Sequence, residues 1–244
     1  MSQVTVGVAE VVRVAYLLLA HEAPAVVEAR VREVVSYDHD GIVVVHYDRR
    51  VPNAAFRQLA RALDAVPRAH LLDARAASGW GRFGLVEACL YGLRRLATQD
   101  TAIDFVHLLS ASCAPIQAVR GFKSFLAAHH GTDFIEVATP EWIIGGLREE
   151  RWTLHHPFDE RRHRWWFNRS VQLQRLLRVE RRLPDGIRPR LGSQWWTLSW
   201  PTCRAVLAYL DAHPEIVRFF RTVWIPDECF FQSLVPHVVP AAPR

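Results

Sequence analysis

The chain has 244 residues, 50% of them apolar and 23% charged, and a formal charge of +5. That composition suits one compact domain with a sizeable core and excludes a disordered or low-complexity protein. No window approaches the roughly 20 apolar residues of a membrane helix, and Glu10 and Arg13 break the apolar N-terminal run, so the sequence reads as a soluble chain without a secretory signal.

The charge is unevenly placed. Lys123 is the only Lys, and between Arg148 and Arg190 twelve Arg face six acidic residues, leaving the remainder near neutral. Such a local field attracts phosphates, nucleic acid or an anionic surface. Nine Trp is a high count; surplus aromatics line sites for sugars and bases, and also simply fill cores. Cys89, Cys113, Cys203 and Cys229 form no CxxC pair and no zinc-type spacing with His, which reads as buried free thiols in a reducing compartment.

In chain order, Val12 to Leu19 reads as a buried strand, Ala25 to Val35 as a helix, and Ile42 to His46 (IVVVH) as a second strand ending in Tyr47-Asp48. A helix over Ala54 to Val66, a short strand over His70 to Leu72 and an amphipathic helix over Leu85 to Thr98 follow. Phe105 to Ser110 (FVHLLS) is a strand, Gly121 to His129 a helix, and Phe134 to Val137 extended. This alternation predicts βαβ units, hence an α/β, Rossmann-like three-layer fold with a mostly parallel central sheet. Ligands bind such sheets at the carboxyl ends of the strands, which aligns the loops starting at Ala20, Asp48, Ser110 and Glu136 along one edge.

Beyond Pro140 the pattern is irregular. It suggests one helix near Ser170 to Arg182, a last strand over Trp195 to Ser199, and helices over Thr202 to Ala212 and Pro226 to Leu234. The domain is expected to span 1–235, with an Arg/Trp-rich insertion at about 148–190; residues 236–244, rich in Pro, read as a linker or truncated end.

Asp38-His39-Asp40 has the D-x-D form in which two carboxylates share a hard cation. It precedes a strand, on the wrong edge of the sheet, and is expected to be a solvated turn. The loop after FVHLLS, where a metal-holding carboxylate would be useful, reads Ala111-Ser112-Cys113 and has none. Pro226-Asp227-Glu228 has the ordinary signature of a helix start, but Glu228 in a cleft could also take a proton from an attacking hydroxyl. Gly192-Ser193-Gln194-Trp195-Trp196 offers either a turn entering a strand with core Trp, or amides and rings suited to a sugar. Trp80-Gly81 is similar, a place where backbone can approach a ligand closely.

In order, AYLLLAH (Ala15 to His21), VVHYD (Val44 to Asp48), WGRFGLVEA (Trp80 to Ala88), LLSASCAPI (Leu108 to Ile116), FIEV (Phe134 to Val137), REERW (Arg148 to Trp152), GSQWWTLS (Gly192 to Ser199) and PDECFFQS (Pro226 to Ser233) resemble one family. It is the core-2/I-branching β-1,6-N-acetylglucosaminyltransferase family, which also includes the peptide xylosyltransferases. The resemblance implies a GT-A fold and inverting transfer from a UDP-sugar to an acceptor hydroxyl, without a metal or other cofactor. Its base matches Glu228. Glu136, Arg148 and Arg151 match acceptor-binding positions, and Gln194 and Trp195 join them from the G-S-Q-W-W motif. The uridine end of the donor is expected near His21, Asp48, Trp80 and Gly81. Gln194 replaces an acidic residue of the xylosyltransferases, which favours N-acetylglucosamine over xylose.

Two departures accompany the match. Arg82 and Gly84 replace a commoner Gly and Ser. The family's basic residues downstream of P-D-E are matched here only by Arg244, so either Arg from 148–190 substitutes, or a longer natural chain with a further C-terminal part supplies them, or donor turnover is lost. The family's animal members carry a membrane anchor that is not read here, so a cytoplasmic, bacterial-type enzyme is expected. Its acceptor would be a glycan or glycoconjugate, with no specific nucleic acid. The Arg/Trp-rich segment reads either as a contact for acceptor or membrane surface or as a solvated basic face. The rival class is a non-catalytic or truncated module of the same fold that binds a polyanionic glycan, a membrane surface or nucleic acid.

Overall fold

The computed structural model describes residues 12–99, 101–144 and 147–239. Strand β1 (Val14–Ala20) is buried along its whole length, as the unbroken apolar run VAYLLLA requires of a strand covered on both faces. It pairs in parallel with β2 (Ile42–Tyr47) and with β4 (Phe105–Ser110), and β2 pairs in parallel with β3 (Ala69–Leu71). Beyond β4 lie β6 (Trp196–Ser199), antiparallel to it, and β5 (Phe134–Ile135), antiparallel to β6, giving the order β3-β2-β1-β4-β6-β5.

Alternate side chains of β1 feed two cores. Tyr16, Leu18 and Ala20 pack with helices α1 (Pro24–Tyr37), α2 (Asn53–Asp64) and α4 (Val119–Ala128). Ala15, Leu17 and Leu19 pack with α3 (Gly84–Ala97), α7 (Trp200–Ala212), α8 (Pro214–Phe220) and α9 (Phe230–Val238). The three-layer arrangement is the expected one. Ser199 caps α7 by accepting from the Thr202 amide, and Asp133 accepts from the Ser199 amide (2.8 Å) and the Thr202 hydroxyl (2.6 Å), pinning β6 where its helix begins.

The segment between β5 and β6 carries α5 (Glu150–Thr153), α6 (Arg164–Leu176) and a small core of its own, Leu154, Phe167 and Val171. Helix α6 starts and ends six residues before the expected Ser170 to Arg182, because Phe167 and Val171 hold one face down. Helix α8, not expected from sequence, starts at Pro214 and buries Ile216 and Phe220 four residues apart. The helix expected over Pro226 to Leu234 is broken at Cys229 into a 3-10 turn (Pro226–Glu228) and α9. Helix α9 then runs through Pro236 to Val238, where a linker or truncated end was expected from 236, because Leu234 and Val235 anchor its last turn in the core; residues 240–244 of that stretch lie outside the described residues.

Asp38 is not the solvated residue expected of the D-x-D sequence. It is buried at the amino edge of β2, accepting from the Tyr16 hydroxyl (2.9 Å) and from Lys123 (2.8 Å). The chain's only Lys thus neutralises a buried carboxylate, which, unpaired, would be costly. Burial and the adjacent Asp38 charge push the Tyr16 phenol well above its ordinary pKa, so it stays a donor. Cys89, Cys203 and Cys229 are buried free thiols, as read from their spacing, and Cys113 is half-buried.

Candidate active site

Ala20, Tyr47, Ser110 and Ile135 end their strands along one edge of the sheet, and the reversed β6 brings Gly192, Ser193 and Gln194 to the same edge. At Gly192 two chain segments meet. Its amide donates to the Glu228 carbonyl (3.1 Å), and a Cβ there would lie 2.2 Å from the Glu136 carbonyl oxygen. Glu136 in turn accepts from the Ser193 amide (2.8 Å), and Gln232 donates to the Ser193 carbonyl (2.6 Å).

Glu228 stands at the end of the 3-10 turn, and its Oε2 accepts from Arg151 at 2.8 Å. The Arg151 side chain is buried, held also by the Leu147 carbonyl (3.1 Å) and by the Trp224 ring, 5.3 Å away. Oε1 of Glu228 accepts no hydrogen bond among the described residues, and the side chain is about a third exposed. The result is a carboxylate oriented through one oxygen and open through the other. The turn is launched by Ile225 in the left-handed region (φ 52°), a strained setting for a β-branched residue.

Asp227, next along the turn, has the opposite surroundings. It lines a cavity of about 10 Å³ with Gln194, Cys89 and Trp196, and its Oδ1 is buried without a partner among the described residues. Burial, and then the neighbouring Glu228 charge, push its carboxyl up to about 6. A folded pKa above the unfolded one means stability that is full below about pH 4 and lost as pH rises through about 6. Asp227→Asn is therefore expected to stabilise the protein by about 2 kcal/mol at pH 8 and hardly at all at pH 4, read from urea unfolding at both pH values.

The residues expected on the donor side lie around the end of β2. Asp48 is buried and accepts from the Arg50 amide and guanidinium (2.7 and 2.8 Å) and the Ser78 amide (3.0 Å). Burial opposes its charge, but these donors outweigh burial and hold its carboxyl below the ordinary value. Trp80 is half-exposed, edge-on to Trp224 (6.2 Å) and capped by Arg161 at 4.0 Å. Gly81, at φ 66°, accepts from the Ile225 amide (3.2 Å), which joins the donor side to the turn carrying Glu228.

Glu136, Arg151, Gln194 and Glu228 thus converge, and Trp80 with Gly81 reaches them through Trp224 and Ile225. Three expected residues stand apart. His21 is exposed and its amide meets only Glu22. Arg148 lines a cleft of about 410 Å³ with Glu141, Glu149 and Glu150, and Trp195 is half-exposed. Sequence reasoning missed Arg50, Arg161, Trp224 and Gln232; only Asp48-x-Arg50 had a local signal, an Asp accepting from the amide two residues on. A cavity of about 590 Å³ between α1 and α4, floored by Tyr16 and His107, holds none of the expected site residues.

This edge, with one reversed strand in a mostly parallel sheet and carboxylates at its mouth, is that of a GT-A-like glycosyltransferase fold. The model of the family described as "Core-2/I-Branching enzyme" matches residues 14–241, and the chain belongs to that family. Xylosyltransferase oxt of Drosophila pseudoobscura pseudoobscura is 26% identical over 233 residues, covering 92% of this chain and 24% of the relative. Xylosyltransferase 1 of Homo sapiens is 25% identical over 235 residues, covering 93% and 22%, and the xylosyltransferase of Ciona intestinalis is 24% identical over 230, covering 92% and 25%. The chain spans about a quarter of the length of these curated relatives.

Proposed function

We propose that this chain is an inverting glycosyltransferase that moves a sugar from a UDP-sugar to an acceptor hydroxyl, with Glu228 as general base and no metal. The observation that carries the reading is the Glu228 carboxylate, oriented by Arg151 at 2.8 Å and without a partner at Oε1 among the described residues, at the sheet edge where the residues expected on the donor side also arrive. Oε1 takes the acceptor proton as the acceptor oxygen bonds to the anomeric carbon. The carbon–phosphate oxygen bond breaks on the opposite face, and its electron pair leaves with UDP. Negative charge then grows on the diphosphate and needs fixed positive groups. Arg161, which the Arg-rich segment sets over Trp80, supports the idea that this segment supplies one.

N-acetylglucosamine is the sugar first proposed, from Gln194. UDP-xylose is the second reading, favoured by the names of the relatives. Calorimetric titration with a panel of UDP-sugars, followed by assay of UDP release with and without EDTA, tests both. One UDP-sugar is expected to bind and turn over slowly in EDTA. Strict dependence on added manganese would refute the metal-free mechanism, and silence across the panel would favour the non-catalytic module.

A further inference from the structure

Helix α6 has two apolar sides. Phe167 and Val171 face inward, and Phe167 packs on Trp224 at 5.7 Å, so the inner side backs the site. On the opposite side Trp165, Trp166, Leu173, Leu176 and Leu177 are 56 to 79% exposed, recurring at the three-to-four-residue spacing of one helical face. Around them the surface is basic: from Phe158 to Arg182 the chain has eight Arg against Asp159, Glu160 and Glu180. Arg164, Arg169 and Arg178 are exposed, with no carboxylate partner among the described residues.

We propose that this outer face of α6 docks on an anionic lipid surface. A helix lying in the plane of a bilayer buries Trp and Leu at the headgroup boundary and keeps Arg among the lipid phosphates, which is the pattern here. A second copy fits poorly, because a two-fold contact would set the same Arg-rich surface against itself. A polyanion such as nucleic acid would use the Arg side chains but leave the three exposed Leu without a role. Because the inner side of α6 packs on Trp224, docking would bring that side of the site within about one helix diameter of the lipid surface. No described helix is long and apolar enough to cross the membrane, so the contact is peripheral.

The test is sedimentation of the full chain with vesicles of phosphatidylcholine alone, or with about 30% phosphatidylglycerol, across a range of salt. Binding is expected on the anionic vesicles only, and weaker as salt rises. The triple variant Trp165→Ser, Trp166→Ser, Leu176→Ser is expected to lower partitioning about tenfold or more, and Arg164→Gln with Arg169→Gln to lower it as well. Because Trp165, Trp166 and Leu176 are exposed and outside the site, the thermal midpoint and any UDP-sugar hydrolysis of the triple variant should not change. These two readouts separate a folding defect, or failure of the proposed reaction, from loss of docking. No partition onto anionic vesicles, equal partition of the triple variant, or a dimer that the same substitutions dissociate would each overturn the proposal.

Discussion

Glu228→Gln is expected to lower the transfer rate by about 10³-fold while UDP-sugar affinity stays within a few-fold. Glutamine keeps the shape of the side chain and can still accept from Arg151 through its amide oxygen, so the turn stays in place. What disappears is the basicity of the free oxygen, and with it the destination of the acceptor proton. The donor-side groups, Asp48 and Trp80, are reached from Glu228 only through Arg151, Trp224 and the Gly81–Ile225 hydrogen bond, none of which the substitution removes. Arg151 keeps its charge without a counterion, so stability should fall by roughly 1–2 kcal/mol, read from urea unfolding. Kinetics and calorimetry on one preparation decide the matter: loss of donor binding together with turnover would remove Glu228 from the role of base.

Gly192→Ala should be the most damaging small substitution at the site. The added methyl would sit 2.2 Å from the Glu136 carbonyl oxygen and 2.8 Å from its carbon, both backbone atoms that cannot turn aside. One segment must move, at a cost of roughly 3 kcal/mol. The contacts at risk are the Ser193 amide on Glu136 and the Gly192 amide on the Glu228 carbonyl, which set Glu136 and Glu228, the proposed acceptor contact and base, relative to each other. A displacement near 1 Å there is expected to cost about 100-fold in kcat. Urea unfolding and steady-state kinetics measure the two effects separately. Unchanged kinetics in a destabilised variant would mean that base and acceptor contacts are not coupled through this crossing.

Strands β1, β2 and β4 could be read directly, since burial on both faces leaves an unbroken apolar run that few other elements produce. Helix α6 could not be bounded, because its two apolar sides blur the period that marks a single buried stripe. The break at Cys229, whose own φ of −135° leaves the helical region, and the left-handed Ile225 ahead of the turn have no local sequence signal. The direction of β6 was equally hidden: four residues suit a strand running either way, and the choice is made by partners some 60 to 90 residues earlier. At the candidate site, Glu228, Glu136 and Gln194 could be named from motifs. The burial of Asp227, the Ser193 amide and the stacking of Arg161 on Trp80 depend on residues far away in the chain. Asp38 shows the same limit, since its side-chain donors Tyr16 and Lys123 lie 22 and 85 residues away.

The reversal of β6 has an evolutionary reach. Because β5 ends and β6 begins at the same edge, everything between Glu136 and Trp195 departs from and returns to one place on the sheet. No strand pairing of the sheet runs through that excursion, but Ile143, Trp152, Leu183, Ile187 and Leu191 anchor it in the main core, and only Leu154, Phe167 and Val171 form a cluster apart. Arg151 and Arg161, which reach Glu228 and Trp80, tie the rest of it to the site, so freedom to drift is confined to its solvent side. The exposed outer face of α6 is thus the part of the excursion that sequence drift can rewrite at least cost to the fold.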